Sequence, residues 1–125
     1  MSNHKIKETE AEARLHAAAK VFRCLSNPHR LTIFLRIASC MGVGTSCETN
    51  DAELAQYQFE HAKALGLAPS TVSHHFKELR EAGLVRMARQ GKIVRCWIDA
   101  ATLELARETL GASSFPPAPP KAKTE

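Results

Sequence analysis

Apolar residues recur at three- and four-residue spacing along much of the chain. Leu15, Ala18, Ala19, Phe22 and Leu25 form the first such stripe and predict an amphipathic helix over 10–25. Asn27-Pro28 then offers a capping side chain followed by a φ already set for helix, and predicts a second helix from Pro28 to about Cys40. Its apolar residues (Leu31, Ile33, Phe34, Leu35, Ile37, Ala38) run most of the way round the axis, so it is expected to be central and buried. Gly42 and Gly44 break it, and 45–50 reads as a polar loop. Asn50 or Asp51 can cap a third helical segment over 52–65. Leu54, Tyr57, Phe59, Ala62 and Leu65 share no single stripe, so two short pieces remain an alternative, with 59–65 the better packed.

Gly66 closes that segment, Pro69 opens a fourth helix running to Ala82, and Gly83 ends it. Leu84–Arg89 and Lys92–Ile98 alternate as strands and are joined by Gln90-Gly91, a hairpin signal. A last helix over Ala100–Leu110 uses Leu103, Ala106 and Leu110. The expected fold class is mainly α with a small β-hairpin, in the order α-α-α-α-β-β-α: a helix-turn-helix followed by a wing. Residues 10–111 form the single domain in this reading. Residues 1–9 are expected to be a flexible N-terminus, and 112–125, with its run from Phe115 to Pro120, a disordered tail.

Composition narrows the class. Aromatics are 6% of the 125 residues, so the core is expected to be aliphatic. Charges at Lys5, Lys7, Glu8, Glu10, Glu12, Arg14 and Lys20 argue against a signal peptide. The longest uncharged runs, Ile37–Cys47 and Thr109–Pro120, are too short to cross a bilayer. The expectation is a cytoplasmic protein with no membrane partner, whose four cysteines are reduced thiols.

The net charge of +4 is unevenly placed. Between 69 and 95, Lys77, Arg80, Arg86, Arg89, Lys92 and Arg95 face only Glu78 and Glu81, which equals the whole excess. Such a basic window is the electrostatic footprint of a nucleic-acid site. On the fourth helix, Val72, Phe76 and Leu79 share the inward face. Ser70, His74, Lys77 and Glu81 lie opposite, flanked by Thr71 and Ser73. Hydroxyls, imidazole and ammonium can contact phosphates and base edges, and the hairpin tip adds Arg89 and Lys92, with Arg95 on the outer face of the second strand. The candidate DNA-binding set is therefore Ser70, Thr71, Ser73, His74, Lys77, Arg89, Lys92 and Arg95. His75 borders the apolar stripe and reads as either a packed residue or a phosphate contact. His4, His16, His29 and His61 form no ligand spacing and read as solvated or capping residues.

These residues resemble a known family. Leu25-Ser26-Asn27-Pro28-His29-Arg30-Leu31 is similar to the opening of ArsR/SmtB-type winged-helix repressors, the segment from Leu65 to Val85 to their recognition unit, and Gln90-Gly91-Lys92 through Ile98 to their wing. The resemblance implies a homodimeric transcriptional repressor that binds double-stranded operator DNA. It also implies pairing of the first and last helices across a two-fold through Leu15, Ala19, Phe22, Leu103, Ala106 and Leu110. An inducer that lowers DNA affinity is implied too: a metal ion or metalloid, or a reactive sulfur or oxygen species. The chain departs from the pattern in several places. Ala68 stands where members often carry an N-cap Ser, which should cost roughly 1 kcal/mol of helix stability. The segment 48–58 is longer than usual. The Cys-Val-Cys motif of the third helix is missing, and Asp99 is followed by no histidine on the last helix. The two familiar metal sites therefore do not carry over.

The remaining candidate chemistry is in Cys24, Cys40, Cys47 and Cys96, which contain no C-x-x-C pair. Thiolates suit soft ions such as As(III), Sb(III) or Cd(II). Cys40 and Cys47 flank the glycine-rich loop and could converge as ligands or as a redox dithiol, with Cys96 or Cys24 as a third sulfur. The bland alternative is that Cys24 and Cys96 are small buried hydrophobes. Three readings stay open: a repressor that senses a soft metal or metalloid, one that senses oxidants or reactive sulfur, and a ligand-independent winged-helix regulator. Enzyme readings lack a phosphate loop, a nucleophile elbow or an HExxH motif, so no catalytic residue is assigned.

Overall fold

The structure is a computed structural model that describes residues 9–111. The expectations for 1–8 and 112–125 lie outside the described residues. Helix α1 (Glu10–Leu25) begins at a capping box: Thr9 Oγ1 accepts from Glu12 N (3.1 Å) and Thr9 N donates to Glu12 Oε1 (3.0 Å). Thr9, grouped with a flexible N-terminus on sequence grounds, is thus the cap of the first helix. Helix α2 (Pro28–Met41) starts as Asn27-Pro28 predicts, with Arg30 N donating to Asn27 Oδ1 at 2.9 Å.

The faces that these helices bury differ from the expected ones. In α1 the inward residues are Ala18, Val21 and Cys24, while Leu15 and Phe22 stay exposed. In α2 only Ile33, Phe34 and Ile37 are buried, and Leu31 and Leu35 face outward. Hydrophobic periodicity locates an apolar surface, but it does not say which part of that surface the same chain covers. The central, buried α2 expected from the sequence is therefore only partly covered.

The chain next forms strand β1 (Cys47–Thr49), where a polar loop was expected. Three residues without apolar alternation carry no strand signal of their own; pairing with a later strand creates this one. Helix α3 (Asp51–Leu65) follows as a single piece rather than two, capped by Asn50 Oδ1 accepting from Glu53 N (2.8 Å). It turns Tyr57, His61, Ala62 and Leu65 to the core and leaves Phe59 exposed, contrary to the expectation for 59–65. Helix α4 (Pro69–Glu81), strands β2 (Val85–Gln90) and β3 (Ile93–Ile98), and helix α5 (Ala100–Thr109) complete the order.

The three strands form an antiparallel sheet in the order β1-β3-β2. Gln90 pairs with Ile93, so the hairpin turns on Gly91-Lys92, one residue later than predicted. Gly91 has φ of 62° and, among the described residues, no non-glycine has positive φ, which matches a two-residue turn needing left-handed backbone only at its first position. Asp99 caps α5 through Ala101 N (3.1 Å) and binds Arg86 and Thr102 with its other oxygen. The Arg86 hydrogen bond, opposed by partial burial, holds the Asp99 carboxyl below the usual range. Helix α5 lies along α1, tied by Arg14 Nη2 to Glu108 Oε1 at 3.0 Å. Ala106 is buried in the chain's own core and Leu103 packs against it, so internal contacts occupy two of the positions assigned to a partner chain. Ala19 is half-buried, and Leu15, Phe22 and Leu110 are exposed. No helix among the described residues is long and apolar enough to cross a membrane.

Candidate nucleic-acid interface and thiol cavity

The recognition unit is built by helices α3 and α4 around a tight turn. Gly66 takes the left-handed conformation (φ 68°), and Leu67 N donates to Ala62 O at 2.9 Å, closing α3 as a C-terminal glycine motif does. Pro69 restarts the chain as α4, whose N-cap Ala68 makes no side-chain capping bond, as its identity predicts. Val72, Phe76 and Leu79 anchor α4 in the core. Ser70, Thr71, Ser73, His74 and Lys77 are all exposed on its other sides, as their spacing predicts. His74 Nε2 lies 3.7 Å from Glu78 and Lys77 Nζ 4.0 Å from Glu81.

His75 resolves toward packing. It is buried, and its Nδ1 accepts from Arg30 Nε at 3.2 Å. His61, expected to be solvated or capping, is buried in the same way. Its Nδ1 accepts from Arg36 Nε at 3.1 Å, and its ring packs edge-on against Tyr57 (4.5 Å) and Phe76 (5.7 Å). His16 and His29 are exposed, and His4 lies outside the described residues. In His61 and His75 burial is the first cause of a lowered pKa, with the positive charge of Arg36 or Arg30 adding to it. Both rings are thus neutral with Nδ1 as acceptor. A histidine whose folded pKa is lowered favours the native state above its unfolded pKa of about 6.5 and ceases to do so below it. Thermal unfolding temperature should fall as pH drops from 7 to 5. A His61→Gln, His75→Gln variant, which keeps an acceptor and cannot titrate, should show a flatter profile over that range.

The wing cations are not isolated charges. Arg89 Nη1 sits 2.7 Å from Asp51 Oδ1 at the start of α3, and Arg95 Nη2 sits 2.9 Å from Glu48 Oε2 on β1. Arg86 pairs with Asp99. Three carboxylates from outside 69–95 thus offset three of the six basic side chains of that window. The expected free grip of Arg89 and Arg95 on phosphate needs these pairs to open first. Lys92 is exposed at the hairpin turn. Asp51 and Glu48 act on the site without any signal in the linear pattern, because only the fold brings them to the wing.

Cys40, Cys47 and Cys96 line one cavity of about 280 Å³ between α2, the sheet and the recognition unit. Cys47 stands directly opposite Cys96 in the β1–β3 register. Cys40 and Cys47 are exposed, whereas Cys96 is buried, and burial with the neighbouring Cys47 pushes its thiol pKa up. Cys40 and Cys47, expected to converge across the loop, thus line one cavity, and the strand register adds Cys96 directly opposite Cys47. Cys24 is buried away from them, its Sγ 3.6 Å from Glu78 O, and burial raises its pKa. Among the described residues, no three His, Cys, Asp or Glu side chains are grouped to hold a metal ion. Three thiols thus share a cavity without forming a trigonal site. Tyr57, unmarked in the sequence, lines the same cavity.

Residues 60–87, from within α3 to within β2, match the family model described as bacterial regulatory protein, arsR family. No curated protein sequence matches the chain. Among solved structures, an ArsR-like transcriptional regulator from Rhodococcus sp. RHA1 is similar at 20% identity and a TM-score of 0.55, over 78% of this chain and 79% of that one. The homodimeric winged helix-turn-helix DNA-binding domain of Mb0332 from Mycobacterium bovis, a possible ArsR-family transcriptional regulator, is similar at 24% identity and a TM-score of 0.51, over 86% of this chain and 82% of that one. At these identities the likeness is one of fold. Geometry and family match fall on the same segment: residues 60–87, which match the arsR-family model, form most of the α3–α4 helix-turn-helix and the start of β2, within a fold similar to that of winged-helix ArsR-like regulators.

Proposed function

We propose that this protein is a DNA-binding transcriptional repressor whose recognition helix is α4. The carrying observation is the exposed face of Ser70, Thr71, Ser73, His74 and Lys77 on a helix whose opposite face is locked in the core. Small hydroxyl residues in the first turns let such a helix enter a major groove closely, and its N-terminus favours phosphate. A second copy of the chain, covering Leu15, Phe22 and Leu110 beside Ala19, would present two such helices to a palindromic site. Anisotropy titration of the duplex upstream of its own gene tests this. Log affinity should fall linearly with log salt, and Lys77→Ala should flatten the slope by about one unit. Equal affinity for that duplex and for random sequence, or no salt dependence, rejects the reading.

Thiol chemistry at Cys47 and Cys96 supplies the effector response in this proposal. Their direct opposition across antiparallel strands puts the side chains near disulfide range. A peroxide would take two electrons and two protons from the pair, leaving a disulfide and two waters. The neighbouring Glu48 holds the wing residue Arg95, so a change at Cys47 reaches a DNA-facing cation through one peptide bond. Peroxide should release DNA from the parent protein and from Cys40→Ser but not from Cys47→Ser; a Cys47→Ser variant that responds like the parent removes the assignment. Soft ions such as As(III), Sb(III) or Cd(II) suit thiolate donors.

A further inference from the structure

Thiol chemistry uses two sulfurs on one wall of the cavity and leaves its space unexplained. That space is about 280 Å³, and its lining includes Ile37, Met41, Leu54, Phe76, Val85 and Met87. An apolar cavity of roughly 150 Å³ is enough to take up benzene, so this one has room for a substituted ring. Well-packed interiors leave few voids larger than a water molecule, which makes an opening of this size between the recognition helix and the sheet a feature to account for. The charged residues in its lining, Glu53 and Arg80, have opposite sign and select no net charge.

One polar atom of the wall lacks a strong partner. Tyr57 Oη is buried and meets no nitrogen or oxygen partner; the Cys40 thiol, a weak hydrogen-bonding group, is the polar neighbour beside it. Burial, together with the adjacent Cys40 thiol, pushes its pKa up to about 12, so it is a protonated donor at neutral pH. Buried hydroxyls are nearly always satisfied by protein, water or ligand. Cys40, exposed in the last turn of α2, lines the same cavity as Tyr57, so an acceptor that enters beside Cys40 can take the place of its thiol at the hydroxyl.

We infer that this cavity is a binding site for a small, neutral, mainly apolar molecule, about the size of a single substituted ring, with one hydrogen-bond acceptor directed at Tyr57 Oη. The site is lined by Phe76 of α4 and Met87 of β2, so its occupant touches both the recognition helix and the wing.

Calorimetric titration and thermal shift of the full chain test binding without DNA. Acetophenone supplies ring and acceptor, ethylbenzene the ring alone, and benzoate the ring with a charge. Acetophenone should bind saturably at one site per chain and raise the unfolding temperature. Ethylbenzene should bind about five- to tenfold more weakly, the worth of one hydrogen bond, and benzoate more weakly than acetophenone. Tyr57→Phe keeps the shape and should erase the preference for acetophenone over ethylbenzene. Met87→Trp fills the space and should abolish both; circular dichroism shows whether it is folded, and Leu54→Phe serves if it is not. Absence of saturable binding by acetophenone overturns the proposal, as does an undiminished acetophenone preference in Tyr57→Phe. These readouts are independent of the DNA titrations, so failure here leaves the recognition-helix reading standing.

Discussion

Phe76→Ala is expected to cost about 3–5 kcal/mol of folding stability. Phe76 is buried in the central cluster, and its ring meets those of Tyr57 (6.2 Å) and His61 (5.7 Å) edge-on. The substitution removes the transfer free energy of the ring and leaves a hole. Neighbours rarely collapse fully into such a hole, and here it would merge with the existing cavity that Phe76 lines. The loss belongs at the upper end of the range for that reason. It compares with a total of about 5–15 kcal/mol for an ordinary domain, so the variant should be partly unfolded at body temperature. Urea denaturation measures the difference directly. Phe76→Leu, which keeps much of the volume, should lose less than half as much. A loss below about 1 kcal/mol for Phe76→Ala would mean that α4 is not held by this contact. The functional consequence follows from position: Phe76 is one turn from Ser73 and adjacent to Lys77, so loosening its packing releases the face proposed to read DNA.

The parts of this fold legible in the sequence are those set by local physics. Asn27-Pro28, Gly66 and Pro69 mark helix ends because capping and positive φ are properties of one or two residues. The inward stripe Val72-Phe76-Leu79 and the outward Ser70, His74 and Lys77 follow from a single helical period. What stayed hidden depends on distant partners. Strand β1 exists because β3 accepts it, and nothing in Cys47-Glu48-Thr49 alone says so. His61 looks like a surface histidine until Arg36, 25 residues earlier, donates to it. The apolar stripes of α1 and α2 are real, but which side of each is covered by the same chain is a property of the assembled core. The cysteines show the same divide. Loop placement points to Cys40 with Cys47, which line one cavity, while the strand register, invisible in the linear pattern, sets Cys96 opposite Cys47.

Charge is where that divide has the largest expected effect on function. The basic window between 69 and 95 is partly neutralised by Asp51 and Glu48, which hold Arg89 and Arg95 in the free protein. A double substitution, Asp51→Asn with Glu48→Gln, keeps size and polarity and frees both guanidinium groups. Each phosphate contact contributes about 0.9 to the slope of log affinity against log salt. If both arginines reach phosphate, the slope should steepen by up to about two units, and affinity near physiological salt should rise on the order of tenfold or more. The cost to folding should be small. Both pairs are exposed, with side-chain exposures of 52% and 72% for Arg89 and Asp51 and 47% and 60% for Arg95 and Glu48, and such pairs are worth about 0–1 kcal/mol. Asp51 also lies in the first turn of α3, where its charge favours the helix by about 0.3–1 kcal/mol, so a slightly lower unfolding temperature accompanies the tighter binding. Unchanged affinity with an unchanged slope would show that the wing arginines stay off the DNA and that Lys77 and the α4 hydroxyls carry the contact without them. The sign of the change separates two roles for the carboxylates. If they restrain the wing, removing them tightens binding; if they only orient Arg89 and Arg95 toward phosphate, removing them loosens it.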